Sequence, residues 1–83
     1  MEMVLNKAYG GFELPRGFRK NRYDYTDADR FSSDLIQYLR EHPETAGDLR
    51  IISIPDNYTD FLVQEYDGFE SVLYVIDGKI YRV

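Results

Sequence analysis

The chain has 83 residues, of which 15 are acidic and 10 basic, giving a formal charge of −5, and it contains no cysteine. That length holds one domain, residues 1–83, because a second independent core would not fit. The carboxylate excess argues against direct binding to nucleic acid or to an anionic membrane surface, since both depend on attracting negative charge. Disulfides, thiolate metal sites and Cys nucleophiles are excluded, and the single histidine excludes a multi-histidine metal centre in one chain.

Hydrophobic residues make up 43% of the chain and aromatics 16%, too much for a disordered segment. No apolar run approaches the roughly 20 residues of a membrane-spanning helix. The N-terminus also lacks the basic start and apolar stretch of a secretory signal.

In chain order, Met1 to Leu5 alternates weakly and predicts a short first strand. Gly10-Gly11 and Leu14-Pro15-Arg16-Gly17 are turn signals, and Asn6 to Tyr25 shows no period, which predicts a long connection. Thr26 to His42 predicts the one helix. Thr26 or Asp27 can cap it, and Phe31, Leu35, Tyr38 and Leu39 form one apolar stripe. Pro43 stops it, because proline disfavours helical geometry at the preceding residue.

Leu49 to Ile54, Phe61 to Tyr66, Phe69 to Ile76 and Lys79 to Val83 predict four strands. The last three are joined by Asp67-Gly68 and Asp77-Gly78. Such dipeptides favour two-residue hairpin turns because type I′ geometry needs positive φ twice. The expected class is therefore α+β, order β-α-β-β-β-β, with one helix packed on an antiparallel sheet that ends in a three-stranded meander.

Charge is distributed unevenly. Residues 1–22 carry Lys7, Arg16, Arg19, Lys20 and Arg22 against Glu2 and Glu13, whereas residues 23–83 hold a net −8. Between Arg50 and Lys79 there is no cation at all. Same-face residues of a strand lie about 6.6 Å apart, so carboxylates on neighbouring strands and turns could extend into a row that meets a basic partner. The plainer explanation is that acidity keeps a small domain in solution. The run Arg16 to Tyr23 interleaves cations with aromatics, as single-stranded nucleic-acid binders do. In an acidic protein, pairing within the chain or with a second copy is the favoured reading.

No catalytic constellation emerges. His42 at the helix end is explained by the dipole, Ser32 and Ser33 have no motif around them, and Gly10-Gly11 lacks the lysine and spacing of a phosphate loop. Asp67-Gly68-Phe69-Glu70 is too short for an EF-hand loop.

Val4-Leu5-Asn6-Lys7-Ala8-Tyr9-Gly10-Gly11-Phe12, together with Asp48-Leu49-Arg50-Ile51, Ile54-Pro55-Asp56 and Glu65-Tyr66-Asp67-Gly68-Phe69-Glu70, resembles segments of a group of small phage-encoded proteins without assigned function. Pro15 to Thr45 departs from that pattern. The resemblance implies a phage or prophage origin and the cytoplasm of an infected bacterial host. It transfers no catalytic residue. By analogy of class alone, small acidic phage proteins include inhibitors of host factors, among them anti-CRISPR proteins that occupy the nucleic-acid channel of an effector nuclease.

The resulting expectation is a non-enzymatic accessory protein that binds a host protein with a basic groove, sharpened to an acidic mimic of nucleic acid. Asp56, Asp60, Glu65, Asp67 and Glu70 would supply the charge, and Tyr58 and Tyr66 the apolar anchors. Catalytic residues, cofactors and metal ligands are expected to be none. The alternatives are a structural or regulatory homo-oligomer, pairing Arg16–Tyr23 of one copy with the acidic strands of another, and then a small hydrolase or metal-dependent enzyme.

Overall fold

The computed structural model describes residues 1–83. The class is α+β. Its elements are β1 (Glu2–Asn6), a 3₁₀-helix (Asp27–Phe31), α1 (Ser33–Glu41), a 3₁₀ turn (Pro43–Thr45), β2 (Leu49–Ser53), β3 (Asp60–Tyr66), β4 (Phe69–Ile76) and β5 (Lys79–Arg82). The strands form two sheets rather than one: an antiparallel β1-β2 ribbon and the antiparallel meander β3-β4-β5. No helix is long and apolar enough to cross a membrane.

β1 explains the division. Val4 packs with Phe12, Leu14, Leu35, Ile36, Leu39 and Leu49, while Met3 and Leu5 point the other way onto Ile54 and Val72. A strand sends successive side chains to opposite faces, so β1 is buried on both. The ribbon is thus a middle layer, with α1 and the N-terminal loop on one side and the meander on the other. Strands covered on both faces lose polar alternation, which is why MEMVL alternates so weakly. β2 pairs with β1 from Glu2↔Ser53 to Asn6↔Leu49.

The segment Thr26–His42 is not one helix. Ser32 is extended (φ −67°, ψ 128°), ending the 3₁₀-helix and capping α1, where its hydroxyl accepts from the Leu35 N–H at 3.4 Å. The break separates the apolar stripe. Leu35 and Leu39 stay with Val4, whereas Phe31 joins the second core and meets Phe61 edge-on, ring centroids 5.8 Å apart. A continuous helix could not have served both sides of β1.

The meander follows the turn chemistry. Asp67 and Gly68 have φ of 50° and 88°, and Asp77 and Gly78 have 51° and 76°. These are the positive values a type I′ turn requires at both central residues. β4 pairs with β3 from Asp60↔Val75 to Tyr66↔Phe69, and with β5 from Leu73↔Arg82 to Ile76↔Lys79. Val72 and Val83 exchange both backbone hydrogen bonds at 3.0 Å, carrying the pairing to the last residue. The Asp67-Gly68 tip is seated on the N-terminal loop: Gly10 N–H donates to Asp67 O, and the Asn6 side-chain amide donates to Gly68 O, both at 2.8 Å.

Candidate functional site

The seven residues expected to contact a partner do not form one array. Asp60 and Tyr66 mark opposite ends of β3, about 20 Å apart at the usual strand rise. Asp56, Tyr58 and Asp60 therefore gather at one end of the hairpin, and Glu65, Tyr66 and Asp67 at the other. Asp56 is 93% exposed and pairs with the Met1 ammonium. That hydrogen bond and charge hold its carboxyl below the usual range. The Asp60 carboxylate accepts from the Phe61 N–H.

Two of the seven are not surface contacts. Tyr58 is half-buried in the second core, edge-on to Phe61 with its hydroxyl 3.5 Å from the Met1 sulfur. Glu70 is 6% exposed. It shares an inward face with Val72, and Arg30 claims it from across the molecule. The guanidinium gives one hydrogen bond to each carboxylate oxygen, both 2.9 Å, and a third to Val4 O at 3.1 Å. The Asn6 backbone N–H supplies a further donor to Glu70 at 2.8 Å. An isolated buried carboxylate is costly, and this bidentate pairing is what makes the inward position tolerable. Arg30 also lies over the Phe12 ring, 4.9 Å from its centroid. Arg30 drew no notice in the sequence. No local pattern marks it, because its partner Glu70 lies 40 residues further along the chain.

The basic run Arg16–Tyr23 pairs within the chain, and with its own surroundings rather than with the acidic strands. Arg19 meets Asp29 through two hydrogen bonds of 3.0 and 2.6 Å and caps Asp24 O at 2.8 Å. Arg22 meets Glu13. The Arg19 hydrogen bonds, followed by the Thr26 backbone N–H, hold the Asp29 carboxyl down at about 2. Elsewhere Arg40 pairs with Glu2. His42 lies against Tyr38 at the end of α1, centroids 4.6 Å apart and ring planes tilted by 41°, with Glu44 at 3.7 Å.

Two features of the meander remain for binding. The first is its outer face. Residues directly opposite in an antiparallel pair share a face, so Leu62, Leu73 and Arg82 form one row, and Val75 and Ile80 lie in the next beside Asp60. The Arg82 guanidinium reaches Gln64 at 3.1 Å across β4, as a shared face requires. Leu62 is 58% and Ile80 72% exposed, and Leu73 and Val75 are half-buried. At the far end of this face Tyr9 folds over Tyr66 and Phe69, at centroid distances of 6.3 and 5.9 Å. Lys7 also lies there, 5.3 Å from the Phe69 centroid, and burial lowers its pKa while Glu70 opposes the shift.

The second feature is a cavity of about 620 Å³ between the 3₁₀-helix, the Gly11–Phe12 loop and β3. Asp27 and Glu65 line it beside Arg30 and Glu70. No group of three His, Asp or Glu side chains converges as metal ligands would. No family model matches this chain, and no curated protein or solved structure matches it significantly.

Proposed function

We propose that the protein is a non-enzymatic binding domain that docks a partner protein on the outer face of its meander. The observation that carries this reading is the open apolar pair of rows, Leu62–Leu73 and Val75–Ile80, on a chain with little surface to spare. Contiguous apolar surface on a small domain marks an interaction site more often than an accident of packing. Asp60, Asp77 and Lys79 stand at one end and Asp67 and Lys7 at the other, with Arg82 beside Leu73, giving an apolar centre with a rim of mixed charge. The net charge of −5 on the chain favours a basic partner and speeds its approach.

The spacing supports this over mimicry of nucleic acid. Charges grouped about 20 Å apart do not follow a strand that carries one phosphate every ~3.4 Å. Binding is supported over hydrolysis because Glu70, the carboxylate opposite Glu65, is committed to Arg30. The origin in a phage and the placement in a host cell rest on the resemblance of the quoted segments alone.

Ile80→Lys tests the reading. The side chain is exposed, so the fold should survive while the patch acquires a charge on its β5 edge. The variant should lose capture of a basic protein from host lysate, and capture by the native protein should weaken as salt rises. Capture unchanged by the substitution would remove the proposal. A native dimer that the same substitution dissolves would assign the face to a second copy of this chain.

A further inference from the structure

The cavity beside β3 has a charge that does not balance. Arg30 lies in its lining, but both of its terminal nitrogens are spent on Glu70 at 2.9 Å. Glu65 stands directly opposite Glu70 in the β3–β4 register. Asp27 lines the other side. Neither Glu65 nor Asp27 takes part in any of the ion pairs of the fold. With Arg30 and Glu70 cancelling, the lining keeps two uncompensated negative charges. Glu65 is exposed and has no cation of its own, so an incoming cation finds it free.

The walls favour the same occupant. Phe12, Tyr25, Phe31 and Phe61 line the cavity. Arg30 already lies over the Phe12 ring, which leaves Tyr25, Phe31 and Phe61 to attract an ammonium or guanidinium group. An anion would meet Glu65 and Asp27 and find Arg30 already neutralised. A bare metal ion would need more oxygen ligands than the two free carboxylates offer. The volume falls within the range of small-ligand sites, about 300–1,000 Å³, and admits a guanidinium or ammonium with its methylene stem.

We propose that this cavity binds an organic cation, with Glu65 as its principal charge partner and the phenyl rings as its walls. The cation is an alkylammonium or alkylguanidinium group, supplied either by a lysine or arginine side chain of a protein or by a free small amine. The site opens beside the edge of β3 and shares only Leu62 with the docking face.

The test is a titration of the isotope-labelled protein, followed by amide chemical shifts. The probes are methylguanidinium and its uncharged isostere methylurea. Methylguanidinium should produce saturable shifts around Gly11, Phe61 and Gly68, and methylurea should bind at least tenfold more weakly. Glu65→Gln should weaken methylguanidinium at least fivefold while leaving the melting temperature nearly unchanged, because the exposed side chain makes no ion pair. A purely structural role for Glu65 would move the melting temperature and leave the affinity alone. Asp48→Asn, remote from the cavity, should bind as the native protein does. Shifts that never saturate, equal binding of methylurea, or undiminished binding by Glu65→Gln would each overturn the proposal. An arginine-bearing tripeptide with blocked ends that binds more tightly than a free diamine assigns the site to a protein side chain, and the reverse order assigns it to a small amine. Ile80→Lys should leave both titrations unchanged, so failure of the docking face and failure of this site are separable.

Discussion

Gly68 and Gly78 occupy the same position in two turns of the same type, and replacing each with alanine separates backbone preference from tertiary contact. At Gly78 an added Cβ meets nothing within 4 Å, so only the positive φ opposes it. That should cost about 1 kcal/mol, near the lower end of the left-handed penalty, or about 4–8 °C in melting temperature for a domain of this size. At Gly68 the same Cβ would lie 2.0 Å from Gly11 N, 2.6 Å from Gly11 Cα and 2.8 Å from Gly10 N. The neighbour is backbone and cannot rotate away. The loop must retreat by more than an ångström, which breaks Gly10 N–H to Asp67 O and strands the buried Asn6 amide that donates to Gly68 O. A lost hydrogen bond costs about 1 kcal/mol net and an orphaned buried donor about 1–3 kcal/mol, so Gly68→Ala should lose roughly 3–5 kcal/mol in all. A whole chain of this length has only about 4–12 kcal/mol of stability. Urea unfolding and differential scanning calorimetry of the two variants supply the comparison. Equal melting temperatures would show that the hairpin tip is not seated on the Gly10–Gly11 loop, and the close approach would have to be abandoned.

Other outcomes follow from the same contacts. Arg30→Met should cost about 3–5 kcal/mol, because removing one partner leaves the buried Glu70 carboxylate without its cation; the double change with Glu70→Leu should recover much of that loss, as urea midpoints would reveal. Asp29 titrates at about 2 in the folded chain against 3.8 in its ordinary state. Its contribution is therefore complete above pH 4 and lost as the pH falls through that window toward 2. Asp29→Asn should accordingly be less stable than the native protein at neutral pH and converge with it near pH 2, which acid titration followed by circular dichroism would detect. Ile80→Lys should change stability by less than about 0.5 kcal/mol, as expected of an exposed site; a larger loss in thermal melts would mean the outer face is already covered.

Local chemistry made the meander legible. Two Asp-Gly dipeptides set its turns, and each acts through its own φ angles without help from distant residues. The class and element order could be read for the same reason. What could not be read came from partners far apart in the chain. Nothing in MEMVL names Leu49–Ser53 as its neighbour, so the separate ribbon and the layer it forms were invisible. The stripe Phe31–Leu35–Leu39 keeps helical spacing through the break at Ser32, and only the existence of two cores on opposite sides of β1 makes the break necessary. In the candidate site, exposed Asp60, Glu65, Tyr66 and Asp67 could be anticipated from turn and strand position. Glu70 could not be separated from them by composition, because its burial depends on Arg30, a residue of a different element. Tyr58 was drawn inward by Phe61 and Met1 in the same way.

The placement of β1 also bears on how the chain reaches its native state. Synthesis releases this central strand before its hydrogen-bonding partner Leu49–Ser53, and well before Val72, which covers Met3 and Leu5. The turns of the meander, by contrast, close between neighbours and can form at once. Folding therefore has to wait for β4 before β1 can be enclosed, and such dependence on distant contacts slows the search. A nascent chain arrested before β4 would leave an apolar ribbon open to solvent, a natural client for chaperones.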